Sequence, residues 1–559
     1  MQREFRRLAE DIFDVLIIGG GVNGLAAAWD ASLRGFSVAV VEKGDYGGAT
    51  SANSLKIIHG GLRYLQHLDM RRMRMSIRER STLLRVAPHL VDPLPFLVPT
   101  YGRGARSKLA MRFAGVINDV AGFDRNRHLH ELGCAIPGAY ALGREDSLDR
   151  VPGLPERKLT GGVVCHDAQM FNADRMTLGF ALSAAARDAV TVNYAQALRL
   201  LTEGNNVTGA AVRDEQTGDI AEVRARVTLN MTGPWADQLI EPLSGRRKSE
   251  LGRFPLVKGF QIVIPPVTRD MGVALAGHRR DPDAMIGRGG RHYFVTPWRG
   301  HSIVGTADFP HEGSPDQLQF SEQEIAGFFD EICVALPGAD LRFESVQHVF
   351  GGLQPADPRC TDNGAHVAKS PRLIDHERDL KWKGLISCVG IKYTACRWLA
   401  ERAVDLVCSK LGYRKAPCRT ARIPLLGGDI KSRECFEETV RRNAPDVLDD
   451  NGLRHMKKSY GTQVIKLFNM IDKEPDLATH IRGSVEVTRA EVIHAVRHEA
   501  AATLADVVLR RTDLGTLGRP ARDTLEDAAG CMGRELGWSP ERIESEVSQV
   551  EALYHIVFR

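Results

Sequence analysis

The sequence predicts an α/β protein in three parts: a Rossmann-like dinucleotide-binding domain of discontinuous segments, an antiparallel-sheet substrate domain, and a C-terminal helical domain. Three observations carry this reading. Residues 13–43 run as apolar strand, glycine turn, helix and second apolar strand; short β-rich runs separated by loops fill 255–342; and the chain is mainly helical from Arg419 onward. With 559 residues the chain has room for several domains, at about 100–200 residues each.

The first unit is the most informative. Residues 15–18 form a fully apolar strand, Gly19, Gly21 and Gly24 supply GxGxxG, and 23–34, opening at Asn23, read as a helix stopped by Gly35. Each glycine has its own reason: Gly19 permits the tight turn, Gly21 lets a pyrophosphate approach the backbone, and Gly24 lets helix and strand pack closely. The helix start offers unpaired N–H groups and a positive dipole end to phosphates. A second apolar strand at 38–41 leads into Glu42 and Lys43. Glu42 stands where the ribose of a dinucleotide needs an acceptor.

Residues 44–61 are rich in Gly, Ser and Thr, as suits a loop laid against a ligand. Residues 62–86 are helical in composition, and Arg71, Arg72, Arg74, Arg78, Arg80 and Arg85 read as a solvated helix face in preference to the alternative, a phosphate or lipid patch. Pro88, Pro93, Pro95 and Pro99 exclude a helix and point to a change of domain. In 108–123, Leu109, Phe113, Val116 and Val120 fall near one helical face, with Arg103, Arg106, Lys108 and Arg112 at its N-terminal side. Such a helix suits a membrane surface or the side of its own domain, and the sequence leaves both open.

A helix over 169–187 follows, with Asn172 or Asp174 as its cap. Strand-like runs at 191–193, 207–213, 221–226 and 227–231 lead to Thr232 and Gly233, a strand end where backbone comes close to a ligand. The runs 260–264, 293–297 and 302–306, then a helix over 321–336, make the inserted sheet. Residues 384–390 return as an apolar strand ending in Gly390, followed by a helix over 394–411. Further helices are expected at 434–443, 461–471, 489–499, 504–511, 521–536 and 539–554. The dinucleotide-binding domain thus takes 1–100, 161–245 and 345–411, the substrate or cap domain 101–160 and 246–344, and the helical domain 412–559.

Composition narrows the function. Lys and Arg total 74 against 70 Asp and Glu, and a net charge of +4 gives no general affinity for nucleic acid. The ten cysteines show neither CxxC nor His-clustered spacing, so no metal site is expected and reduced thiols in the cytoplasm are. No apolar run reaches the ~18 residues of a membrane span, and the first residues lack the apolar core of a signal peptide. A soluble protein, or one lying on a membrane surface, is the expectation.

Six stretches together resemble the FAD-dependent glycerol-3-phosphate dehydrogenases, within the D-amino-acid-oxidase-like flavoproteins. They are IIGGGVNG at 17–24, ATSANSLKIIHGGLRYL at 49–65, NMTGPW at 230–235, FVTPWRGHSIVGTAD at 294–308, GIKYTACR at 390–397 and EVIHAVRHEAAATLADVVLRRT at 491–512. The resemblance spans almost the whole chain. It implies that the dinucleotide is FAD, held by Gly19, Gly21, Asn23 and Gly24, by Glu42 and Lys43, and by the loop carrying Thr50, Ser51 and Ser54. Further contacts are implied at His59, Gly60, Gly61 and Gly233, and at Gly390, Lys392, Tyr393 and Thr394 toward the isoalloxazine.

It also implies the reaction. sn-Glycerol 3-phosphate is oxidised to dihydroxyacetone phosphate as the alcohol carbon gives a hydride to flavin N5, a nearby base takes the hydroxyl proton, and electrons pass to quinone or another acceptor. The expected partners are therefore a small anionic substrate and an electron acceptor; contact with the inner face of the cytoplasmic membrane and a homodimer are both left open.

Substrate-binding residues carry over at Arg63, Tyr64 and Lys392. An arginine fork suits phosphate or carboxylate, and lysine adds a point charge. Three positions depart from the family. Where it reads Gly-Val-Arg-Pro, this chain reads Gly352-Leu353-Gln354-Pro355; a second substrate-side arginine aligns with Lys369; and Lys-Gly-Ser-His becomes Lys258-Gly259-Phe260-Gln261. Gln261 cannot accept a proton at neutral pH. A hydrogen bond to a charged group is worth ~1.5–3 kcal/mol, so Gln354 weakens phosphate binding about ten- to a hundred-fold unless something compensates. The sequence thus leaves open the same flavin chemistry on another small anionic alcohol, polyol phosphate, hydroxy acid or amine, and a flavin-binding protein without turnover. His59 is a candidate base, imidazole being suited to proton transfer near neutrality, or else a structural group. Lys392 is the other, provided the fold buries it.

Overall fold

The computed structural model describes the chain except residues 244–254, 281–289, 358–365, 414–415 and 556–559, and the side chains of 62, 63, 66, 278–280, 290, 291, 379 and 555. Two sheets organise it. The first runs in spatial order Arg372–Asp375, Leu385–Val389, Ile220–Asn230, Ile12–Ile18, Val38–Val41 and Val190–Val192, with Asn206–Asp214 and Ala195–Glu203 joined as an antiparallel ribbon. Its centre is parallel: Val15 lies opposite both Val227 and Val38, and Thr228 opposite Leu385. Val15, Leu16 and Ile17 are all fully buried, which is why this strand is apolar without alternation. Helices Val22–Leu33, Ala173–Ala185 and Cys396–Leu411 pack in one core, with Trp29 against Phe180 at 5.7 Å between rings. Of the two candidate caps for the second of these, Asn172 accepts from the N–H groups of Asp174 and Arg175.

The second sheet has the order His348–Pro355, Leu256–Ile264, His301–His311, Gly290–Trp298, Gly272–Arg280, Val91–Tyr101, Leu159–Met170 and Ile57–Ile58, with Tyr140–Leu142 paired to Leu159–Met170. It is antiparallel except where Gly272 lies opposite Phe96. Here the expected boundaries move. Val91–Tyr101 and Leu159–Met170 are in register from Val91 opposite Met170 to Tyr101 opposite Leu159, so divisions at 100 and 161 cut through a strand pair of the second sheet. His348–Pro355, assigned to the dinucleotide-binding segment 345–411, is likewise the edge strand of this sheet. Pro93, Pro95 and Pro99 share one phase of their strand, which on its other side pairs only through Phe96 and Leu97, so few ladder bonds are lost.

The segment 62–86 splits into a 3-10 turn, Leu62–His67, and a helix, Met70–Val86, whose N-terminus is capped by Asp69. Its arginines do not all lie on a solvated face. Arg80 is buried, donates to the His166 carbonyl, and stands 3.4 Å from Asp167. Helix Lys108–Ala121 buries Met111, Gly115 and Asn118 but leaves an apolar row outside, from Leu109 (79 % exposed) through Phe113, Val116 and Val120 to Phe123 (81 %).

The C-terminal helices Arg433–Asn443, Val464–Lys473, Arg489–His498, Arg522–Leu536 and Pro540–His555 lie where expected. Asp450–Tyr460 is an additional helix, hidden by its polar composition and an Asn451-Gly452 pair that reads as a turn. The segment 504–511 starts as Leu504–Asp506 and widens into a π turn, Val507–Arg511. These elements share their own core around Phe468, Val492, Leu525 and Met532. Buried charges tie that core to the first sheet's side: Arg175 meets Glu499 at 2.6 Å, and Arg510 and Arg511 close on Asp45 at 2.5 and 2.6 Å.

Candidate active site

A cavity of about 1960 Å³ is lined from the first sheet by the glycine turn, the loop after Val41, and the strand ends at Met231 and Val389; the second sheet contributes Gln261, Phe294, Thr306 and Gln354.

At one end the walls are backbone. Gly19 has φ +111°, and a Cβ there would lie 2.5 Å from the Met231 carbonyl oxygen, so only glycine fits. A Cβ on Gly24 would overlap the Gly19 carbonyl. Gly21 sits 3.3 Å, measured from an added Cβ, from the Ser51 hydroxyl, which accepts from the Val22 N–H at 3.0 Å at the helix start. Glu42 accepts from the N–H groups of Gly20 (2.7 Å) and Gly44 (2.9 Å); burial outweighs these bonds and raises its carboxyl above the ordinary value. Lys43 pairs with Asp316 at 2.6 Å and lies over Trp235 at the rim. Thr50 donates to the Leu353 carbonyl at 2.8 Å, holding the loop to the second sheet, and Ser54 accepts from the Lys56 N–H. Gly233 opens the turn after Ile220–Asn230 with φ +58°. Gly390 abuts the Asn23 amide, whose Oδ1 is buried with no partner among the described residues. Tyr393 donates to the Ala173 carbonyl at 3.0 Å, and burial pushes its phenol well above the usual range. The Thr394 hydroxyl accepts from the His59 N–H at 3.0 Å.

Gly24, Gly60 and Gly61 do not line the cavity themselves. Gly60 makes room for the Arg80 guanidinium, and Gly61, at φ +85°, turns the chain into Leu62–His67.

At the other end the walls are side chains. His59 lines the cavity and packs on Phe294, with its Nδ1 3.2 Å from Asp167 Oδ2. Asp167 also accepts from the Gly60 N–H at 2.5 Å. Burial alone would raise the Asp167 carboxyl, but His59, Arg80 and this N–H hold it below the ordinary value. With Nδ1 engaged, Nε2 is the nitrogen left to exchange a proton. Sequence reasoning missed Asp167, which lies 108 residues away with nothing local to mark it.

Lys392 Nζ donates to the Tyr64 hydroxyl at 2.8 Å and lies 4.6 Å from that ring's centre. Lys392 is exposed, so the burial that a base role required is absent. The Arg63 side chain lies outside the described residues. Gln261 is 4 % exposed and its Oε1 has no partner among the described residues. It shares a sheet face with Gly259, Gly352 and Gln354; an added Cβ on Gly352 would lie 3.0 Å from Thr50 Cα, so the two sheets approach through a glycine. Lys369 lines the cavity, and its carbonyl accepts from Arg72 at 2.8 Å. Arg72 lines it too, although the sequence favoured a solvated face over a phosphate or lipid patch for it.

A glycine cradle that excludes any Cβ, facing an antiparallel sheet across one cavity with an oriented histidine, defines a two-domain dinucleotide-dependent oxidoreductase. Comparison with known proteins makes this specific. Residues 14–406 match the FAD dependent oxidoreductase family, and 418–543 the C-terminal domain of alpha-glycerophosphate oxidase. The chain is 29 % identical to a glycerol-3-phosphate dehydrogenase of Synechocystis sp., over 98 % of this chain and 97 % of that one. It is 32 % identical to glycerol-3-phosphate dehydrogenase 2 of Mycobacterium tuberculosis, over 98 % and 89 % respectively. In fold it is similar to the glycerol-3-phosphate dehydrogenase from Bacillus halodurans complexed with FAD, with a TM-score of 0.73 and 22 % identity over 99 % of this chain and 96 % of that one. The chain therefore belongs to the FAD-dependent oxidoreductases, within the glycerol-3-phosphate dehydrogenase family, and its cofactor is FAD.

Proposed function

We propose that this enzyme oxidises sn-glycerol 3-phosphate to dihydroxyacetone phosphate and delivers the electrons to quinone or a similar acceptor. The observation that carries this is a single cavity running from the glycine cradle to His59, Tyr64 and Lys392. The cradle fits FAD: Gly19 and Gly24 exclude a Cβ, Ser51 and the helix start face the pyrophosphate seat, and Glu42 stands at the ribose position. When bound there, FAD supplies a hydride acceptor. His59 Nε2 takes the substrate's hydroxyl proton, and Asp167 fixes the ring and stabilises the imidazolium that results. Lys392, steadied on Tyr64, supplies charge for the substrate's anionic group. Gln261 offers a neutral oxygen to a substrate hydroxyl. The names of the similar proteins support this substrate.

The exposed apolar row on Lys108–Ala121, beside Arg103, Arg106, Lys108 and Arg112, supports contact with an anionic membrane surface, where quinone is found. No helix among the described residues is long and apolar enough to cross a membrane. The test is steady-state turnover of the FAD-loaded enzyme with glycerol 3-phosphate and a soluble quinone analogue. Formation of dihydroxyacetone phosphate is expected; a loaded enzyme that makes none would discard the proposal.

A further inference from the structure

We propose that Arg72 supplies the cation missing at Gln354 and, together with Lys392 beside Tyr64, binds the anionic group of the substrate. This rests on the reading of the substrate as an anion. Its geometry stands independently. Leu68 turns the chain with φ +53°, Asp69 caps the helix Met70–Val86, and Arg72 lies in its first turn. Asp69 fixes the guanidinium, with Nε 2.5 Å from its Oδ2, while Nη1 donates to the Lys369 carbonyl at 2.8 Å. Nη2 donates to no described residue. The arginine side chain is only 25 % exposed.

The destination of this guanidinium is what matters. Residues 366–369 fold back onto the end of the strand that carries Gln354: Ala368 N–H donates to the Pro355 carbonyl at 2.8 Å, and Ala356 bridges Val367. By gripping Lys369, Arg72 is brought from the opposite wall to the strand end where the family's arginine is lost. It stands 5.2 Å from the centre of the Tyr64 ring, on which Lys392 also lies. Arg72, Lys392, Lys369, Gln354 and Tyr64 all line the cavity. Two cations held on one aromatic ring, one with an N–H edge that no described residue takes up, form a fork and a point charge suited to phosphate or carboxylate.

The competing role is a staple, in which Arg72 only ties 366–369 to the helix. Substitutions separate the two. In the FAD-loaded enzyme, R72Q is expected to raise KM for glycerol 3-phosphate, and the dissociation constant of inorganic phosphate measured by calorimetry, about ten- to a hundred-fold with kcat nearly unchanged. R72K recovers part of the loss, keeping charge without the fork. Glycerol lacks the anionic group, so its KM is expected to be unchanged in R72Q, whereas loss of a staple weakens both compounds alike. Wild-type KM and phosphate affinity in R72Q, equal weakening of glycerol and glycerol 3-phosphate in R72Q, or a wild-type enzyme that binds no phosphate would each overturn the assignment. If glycerol 3-phosphate is not turned over by the wild type, the substrate proposal fails alone, and phosphate calorimetry still decides on Arg72.

Discussion

The two ends of the cavity are built from different materials. At the cofactor end Gly19 and Gly24 are dictated by backbone, because any Cβ would collide with a carbonyl, and Gly390 abuts the side-chain amide of Asn23. At the substrate end His59, Asp167, Lys392 and Arg72 arrive as side chains from separate elements, each held by a partner of its own. The first end therefore cannot change without loss of the cofactor seat, whereas the second can exchange residues one at a time. Gln261 and Gln354 are such exchanges.

The largest effect is expected where backbone has no slack. Gly24→Val forces a branched side chain into the Gly19 carbonyl, and the purified protein should carry no FAD by its visible absorbance. A variant that retains full flavin would break the contrast at its firm end. At the other end, His59→Asn should lower kcat by about 10²–10⁴, the range for a general base, with flavin content unaltered. Asp167→Asn should act through the same imidazole, lowering kcat and displacing its pH profile. An unmoved profile would reduce Asp167 to a structural acceptor.

Stability at the domain junction offers a control remote from both ends. His455 is buried between Glu491 (2.8 Å) and Asp513 (2.7 Å), and Arg299 pairs with the same Asp513 oxygen. Burial would lower its pKa, but the two carboxylates raise it from 6.5 to about 10. A raised folded-state value means that the stabilisation is fully present below pH 6.5 and is lost as pH climbs through about 10. Thermal melts should therefore show a falling Tm between pH 7 and 10, and a flat profile would contradict the pairing. The smallest effect on catalysis belongs to the surface: charge reversal at Arg106, Lys108 and Arg112 should leave turnover in solution intact and reduce sedimentation with anionic liposomes.

Much of this was legible in the sequence because it is local. The glycine spacing, the apolar strands and the start of each long helix depend on residues within a few positions of one another. Asn172 acts within a turn of the backbone it serves. What escaped depends on distant pairing. Val91–Tyr101 reads as a proline-broken linker until Leu159–Met170 lies beside it. Arg80 and Arg72 read as surface charges until Asp167 and Lys369 meet them. The resemblance located the missing arginine at Gln354, but local spacing could not show which cation stands in for it.

The most direct measurement is anaerobic reduction of the bound flavin in a single turnover, with glycerol 3-phosphate, glycerol, a longer polyol phosphate and a hydroxy acid compared. The expected result is that glycerol 3-phosphate bleaches the flavin fastest, and that R72Q needs more of it to reach the same limiting rate. A flavin left oxidised by glycerol 3-phosphate but bleached by another compound of the panel would contradict it.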